Sequence, residues 1–193
     1  RPVILVGGGT IGGRASSEAT TLARTLNFPV TTTLMGLGGY PATDPQWLGW
    51  PGMHGTYEAN TALHNSDLIL SIGARFDDRV TNATEKFCPT AKIIHIDIDP
   101  SSISKTIAVD VPIVGPAKSV VQEMLDLLAK SERQPDAEAI AEWWGQINHW
   151  RLRHGGRYEI HENGMLKPQQ VIEALYEVTK GDAYICSDVG QHQ

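Results

Sequence analysis

Pro2-Val3-Ile4-Leu5-Val6-Gly7-Gly8-Gly9-Thr10-Ile11-Gly12 opens the chain on a short apolar run that stops at three glycines. A β-branched run of this length, closed by a turn signal, is too short for a helix and predicts a strand over 3–6. Beyond it, Ser17 to Leu26 has helical spacing. Leu22, Ala23 and Leu26 share a face, Ser16 or Ser17 is available as a cap, and Glu18 suits the first turn. Pro29 to Thr33 reads as the next strand.

The same alternation continues outward. Tyr57 to His64 predicts a helix, Leu68 to Ile72 and Lys92 to Ile96 predict strands buried on both faces, and Val111 to Val114 predicts a strand whose Pro112 places it at an edge. Lys118 to Leu128 is amphipathic, with Val121, Met124, Leu125 and Leu128 inward. Strands separated by helices make an open parallel sheet, so the expectation is an α/β, Rossmann-like domain of about six strands over 1–130. A linker with a helix follows over 131–166. The segment 167–193 reads as the truncated start of a second α/β domain: a helix over Lys167 to Lys180, then a strand over Ala183 to Ser187. The chain begins and ends so abruptly that it is expected to be an excised piece. Between Gly36 and Gly55 lies a Gly- and Pro-rich stretch carrying Trp47 and Trp50, long for a simple connection and expected to serve function.

Composition narrows the field. Sixteen basic against 22 acidic residues, with a net charge of −6, give no clustered cations for a nucleic-acid partner. No apolar run approaches the roughly 20 residues that span a bilayer, so no membrane role is expected. Cys88 and Cys186 form neither a disulfide framework nor a zinc site, and a reducing cytoplasm is the default.

Several motifs carry chemistry. Gly7 to Gly12 matches G-x-G-x-x-G, but the second strand ends in Thr31-Thr32-Thr33-Leu34-Met35 without the carboxylate that holds a ribose in NAD proteins. The glycines therefore read either as a tight turn or as a backbone cradle for a phosphate or flavin. Gly73-Ala74-Arg75-Phe76-Asp77-Asp78-Arg79-Val80 ends a buried strand, where open sheets bind ligands. Its arginines suit an anionic cofactor, and a local ion-pair cluster is the alternative. In His95-Ile96-Asp97-Ile98-Asp99-Pro100, Asp97 and Asp99 share a face. Asp97 reads as a ribose or adenine acceptor or as part of a turn, and Asp99 as a turn residue. Gly52-Met53-His54-Gly55 offers a mobile histidine and a polarizable thioether to a ring. Trp143, Trp144, Ile147 and Trp150 fall at helical spacing and read as packing surface.

Taken in order, Thr31 to Gly38, Gly52 to Asn60, Gly73 to Val80, Asp97 to Lys105 and Ser187-Asp188-Val189-Gly190-Gln191-His192-Gln193 resemble the large catalytic subunits of acetolactate synthase. The resemblance covers essentially the whole chain and is thinnest between Lys130 and Gly164. It implies three α/β domains in the whole protein, of which this chain is the central FAD domain and the beginning of the thiamine-diphosphate domain. By motif match the FAD contacts are Gly7, Gly8 and Gly9, then Thr33, Leu34 and Met35, then Gly52, Met53 and His54. Gly73, Arg75, Asp77, Arg79 and Val80 follow, with Asp97 and Ile98. Gly190, Gln191 and His192 match residues at the thiamine diphosphate tail.

The family condenses two pyruvates, or pyruvate with 2-oxobutyrate, with loss of carbon dioxide, in branched-chain amino acid biosynthesis. It uses thiamine diphosphate and Mg2+, and its FAD is usually structural. The resemblance further implies a homodimer or homotetramer with a regulatory small subunit. No catalytic residue and no metal ligand falls in this stretch, so the isolated piece is expected to be inactive. Gly115-Pro116-Ala117 departs from the family's common Gly-Asp-Ala, and Pro51 from a common leucine; Pro116 offers neither a carboxylate nor an amide proton to a flavin. Alternatives are a sister thiamine enzyme (oxalyl-CoA decarboxylase, glyoxylate carboligase or pyruvate oxidase) and a regulatory nucleotide-binding module. A sirtuin-type deacylase would need four zinc cysteines.

Overall fold

A computed structural model describes residues 1–155, 158, 165–186, 188 and 190. The chain forms two compact units, Arg1–Gly155 and Gly156–Gln193. In the first, strands β1 (Pro2–Val6), β2 (Val30–Thr32), β3 (Leu68–Ile72), β4 (Lys92–Asp97) and β5 (Val111–Val114) pair in parallel in the order β2-β1-β3-β4-β5. The sheet is open, and β5 with its proline is an edge, as its sequence predicts. Five strands stand where about six were expected. Outside β2 the long loop runs alongside the edge, but its only pairing of strand type is an isolated bridge between Val30 and Trp47.

Period-two alternation along β1 builds both cores. Val3 and Leu5 face one layer, with Ile69, Ile93, Ala59, Leu63, Trp143 and Ile147. Ile4 and Val6 face the other, with Leu70, Ile72, Ile96, Leu22, Ala23 and Val121. The second layer is covered by α2 (Ser16–Leu26) and α5 (Ala117–Lys130), the first by α3 (Tyr57–Asn65) and α6 (Ala137–His154). A five-residue helix, α1 (Gly8–Gly12), leaves β1 directly, before the long helix begins. In α2 the cap position is taken by Ala15, and Ser16 is already helical, so neither serine caps. Thr56 caps α3 through the Ala59 amide, and Asp136 caps α6 through the amides of Glu138 and Ala139.

The helix placed by sequence in a linker, α6, packs on α3 within the first unit. Trp143 is fully buried and donates its indole N–H to the Pro2 carbonyl at 3.0 Å. Arg151 donates to the carbonyls of Pro45 at 2.9 Å and Trp47 at 2.6 Å, so the same helix pins the long loop.

The second unit contains α7 (Pro168–Thr179), whose first turn is closed by Gln170 accepting from the Lys167 amide at 2.9 Å. Ala183 to Cys186 carry no strand; among the described residues no partner strand offers them a ladder. Ser187 lies outside the described residues. Among the described residues no helix is long and apolar enough to cross a membrane.

Candidate functional site

The chain leaves β1 toward β2 on one side and returns to β3 on the other, so the order reverses between β1 and β3. Loops diverge at such a switch point and leave a crevice at the carboxyl ends of the strands. A cleft of about 660 Å³ lies there. Its floor is glycine. A Cβ on Gly7 would lie 2.1 Å from the Gly73 carbonyl oxygen, and Gly73 itself has φ +63. The two turns therefore touch backbone to backbone, as only glycine allows. The Gly7 amide donates to Ile72 and the Gly9 amide to Gly73, both within the protein. Of the three glycine amides, only that of Gly8, at the first position of α1, lacks such a partner among the described residues.

The walls come from three loops. After β2, a 3-10 turn over Leu34–Gly36 brings Thr33, Leu34 and Met35 to the cleft, with the Met35 side chain 75% exposed. After β3, Gly73, Arg75, Asp77, Arg79 and Val80 line it, with α4 (Asp78–Thr81) holding the last two. After β4 comes Asp97. Arg75 stands 3.5 Å from Asp77, an exposed ion pair of the kind that fixes a loop. Arg79 makes no ion pair among the described residues.

Other expected residues lie elsewhere. Gly52 is buried in a turn with φ +108, clasped by Asn60, which both donates to it and accepts from it. A Cβ there would meet the Arg79 carbonyl at 2.2 Å, so the glycine serves the fit of the long loop against α4. Met53, His54 and Ile98 are exposed and do not line the cleft. Gly190 falls in the second unit; Gln191 and His192 lie outside the described residues. Gly115, Pro116 and Ala117 do not line the cleft, and Pro116 sits at the α5 N-cap.

Residues not assigned to a ligand by the sequence also line the cleft: Ile11, Pro51, Ala74, Phe76, Asp99 and Ser102. For Asp99 the turn reading holds as well. Its carboxylate accepts from the Ser101 amide at 2.9 Å, and the Ser101 side chain together with that amide bond holds its pKa below the usual carboxylate value. The alternation of Asp97 and Asp99 along an extended strand end is the sequence feature that points both to one side.

Asp97 is buried and accepts the Asp99 amide at 2.9 Å. Two residues earlier on the same strand face, His95 is fully buried, and burial lowers its pKa against the opposing pull of Asp97 and the Ala74 backbone. Chemically the cleft combines apolar wall, bare backbone, two guanidinium groups and carboxylate acceptors, which suits an anionic, ring-bearing cofactor. Among the described residues no group of three or more His, Cys, Asp or Glu is placed to hold a metal ion.

Residues 1–124 match the family described as the thiamine pyrophosphate enzyme, central domain. The chain belongs to that family. The central domain and the segment after it are similar throughout to acetolactate synthase large subunits. Identity is 55% with the large subunit of Haemophilus influenzae and 51% with the isozyme 3 large subunit of Escherichia coli, over all of this chain and 33% of each relative. The acetolactate synthase of Mycobacterium bovis is 45% identical over all of this chain and 31% of its own length. The chain thus spans about a third of the curated relatives it matches.

Proposed function

We propose that this central domain carries FAD in the cleft at the β1/β3 switch point and belongs to an acetolactate synthase large subunit. In this reading the whole protein condenses two pyruvates, or pyruvate with 2-oxobutyrate, in branched-chain amino acid biosynthesis. It does so as a cytoplasmic homo-oligomer with a regulatory small subunit. The observation that carries the reading is the cleft itself: a glycine floor that lets a flat or phosphorylated ligand approach backbone, with Arg75 and Arg79 on one wall and Asp97 at the next strand end.

The residues present fit the cofactor. In this reading Arg79, without an ion pair among the described residues, takes the diphosphate, Asp97 accepts from ribose hydroxyls, and Leu34, Met35 and Val80 pack against a ring. The flavin is structural here, and thiamine diphosphate with Mg2+ supplies the electron sink elsewhere in the whole protein. Residues 1–193 bind and orient; none of them moves a proton on the substrate, and the isolated stretch is silent.

The test is acetolactate formation from pyruvate by the full-length protein, with FAD, thiamine diphosphate and Mg2+ omitted in turn. Product that needs all three supports the reading. Product formed at full rate without flavin removes the role given to the cleft, and acetolactate made by residues 1–193 alone overturns the assignment of silence.

A further inference from the structure

Beneath the cleft the sheet buries polar side-chain atoms that have no well-formed hydrogen bond among the described residues. His95 is fully buried, and among the described residues neither ring nitrogen has a hydrogen-bond partner of good geometry, the Ala74 backbone being its nearest polar influence besides Asp97. Ser71, its register neighbour on β3, is also fully buried, and its hydroxyl is likewise unpartnered among the described residues. Adjacent parallel strands lie roughly 4.8 Å apart, and neighbours in register point to the same face. Buried polar groups in folded proteins almost always have partners, and an exception calls for a reason.

The surroundings of His95 supply one. Its ring meets Phe76 edge to face at 5.0 Å, and Phe76 holds a left-handed backbone, φ +53, inside the loop that forms one wall of the cleft. Two residues along β4, on the same face, Asp97 forms the adjoining wall. The Nε2 atom of His95 stands 3.7 Å from Oδ2 of Asp97, just beyond hydrogen-bond reach, while Oδ1 already accepts the Asp99 amide. Burial keeps the imidazole neutral, so it offers one N–H and one lone pair.

We propose that His95 is a positioning residue for the cleft, its buried imidazole orienting the Asp97 carboxylate toward a hydroxyl-bearing ligand. A ligand hydroxyl donating to the outer lone pairs of Asp97 draws the carboxylate into place, the 3.7 Å gap closes to an N–H···O bond, and the unpaired imidazole gains its partner on binding. The arrangement rests on the flavin reading above, with a ribose hydroxyl as the group recognised; the His95–Asp97 coupling exists without it.

The experiment has two arms, both on the full-length protein. In the first, FAD affinity is measured by flavin fluorescence for wild type, His95→Phe, Asp97→Asn and the double variant. Phenylalanine keeps a ring against Phe76 and removes only the nitrogens. His95→Phe is expected to weaken binding about tenfold, and the double variant to be no weaker than Asp97→Asn, because residues acting as a unit are not additive. His95→Gln, which restores an N–H donor, is expected to recover most of the loss. Additive losses, or a His95→Phe variant that binds like wild type, overturn the proposal.

In the second arm, the His95 imidazole is titrated by NMR in histidine-labelled protein without ligand. Asp97→Asn is expected to lower its midpoint, because the carboxylate that favours the charged form is gone; an unmoved midpoint in the folded variant overturns the proposal whatever the affinities in the first arm. A moved midpoint in a protein that binds no flavin leaves the coupling standing and removes the flavin reading instead.

Discussion

Gly7 and Gly73 meet backbone to backbone, so that a Cβ on Gly7 would stand 2.1 Å from the Gly73 carbonyl oxygen. They end β1 and β3, the two strands between which the chain changes direction, and their contact sets how closely the cleft walls approach. Gly7→Ala must push β1 and β3 turns apart. A loss of about 3 kcal/mol is expected in urea unfolding, at the high end of overpacking. Gly12→Ala is the control. A Cβ there meets nothing within 4 Å, and the change is expected to be neutral or to stabilise by about 0.5 kcal/mol. Equal effects at the two positions would remove the close-approach argument.

Arg79 is the cleft guanidinium without an ion pair among the described residues, whereas Arg75 is shared with Asp77. Arg79→Ala is expected to weaken FAD binding about tenfold or more, the size of a lost charge-assisted hydrogen bond, with the unfolding midpoint unchanged. Arg79→Lys is expected to recover only part, since an ammonium cannot grip two oxygens with a planar fork. Equilibrium dialysis with FAD reads both.

The His95 imidazole is harder to protonate in the folded chain than outside it. As pH falls through about 6.5 the unfolded chain takes up this proton first, so stability decreases from there, and the loss levels off once the folded-state imidazole also titrates. Urea midpoints between pH 8 and 5 are expected to fall more steeply for wild type than for His95→Gln. Parallel curves would show that His95 takes no part.

Burial pushes the Cys88 thiol up to about 12, whereas Cys186 is exposed. At pH 8 a thiol-specific alkylating reagent is expected to modify Cys186 within minutes and to spare Cys88 until denaturant is added. Peptide mapping by mass spectrometry checks it, and early modification of Cys88 would mean that its pocket opens readily.

Much of this fold is written in short-range pattern. Val3 to Val6, Leu68 to Ile72 and Lys92 to Ile96 fix three strands through apolar runs, and Pro112 marks the edge because a proline cannot donate to a ladder. The sheet order also makes the switch-point cleft predictable once the strands are known. What local pattern does not carry is contact between distant loops. That Gly7 and Gly9 spend their amides on Ile72 and Gly73 depends on two turns more than sixty residues apart in sequence. A lone stretch such as Gly52-Met53-His54 gives no sign that the glycine faces Arg79 while its neighbours face water. His95 likewise reads as one more residue of a buried strand until the register with Ser71 is known.

The bond from Trp143 to the carbonyl of Pro2 spans 141 residues of sequence. Synthesis in the amino-to-carboxyl direction therefore makes β1 well before α6, the helix that completes the cover over one face of it. Through that interval Val3, Leu5 and Ile69 have the cover of α3 but not that of Trp143 and Ile147. A chain ended at residue 124, where the family match stops, would leave part of that greasy face open for good and would be expected to clump, whereas one carried through Gly155 closes over it.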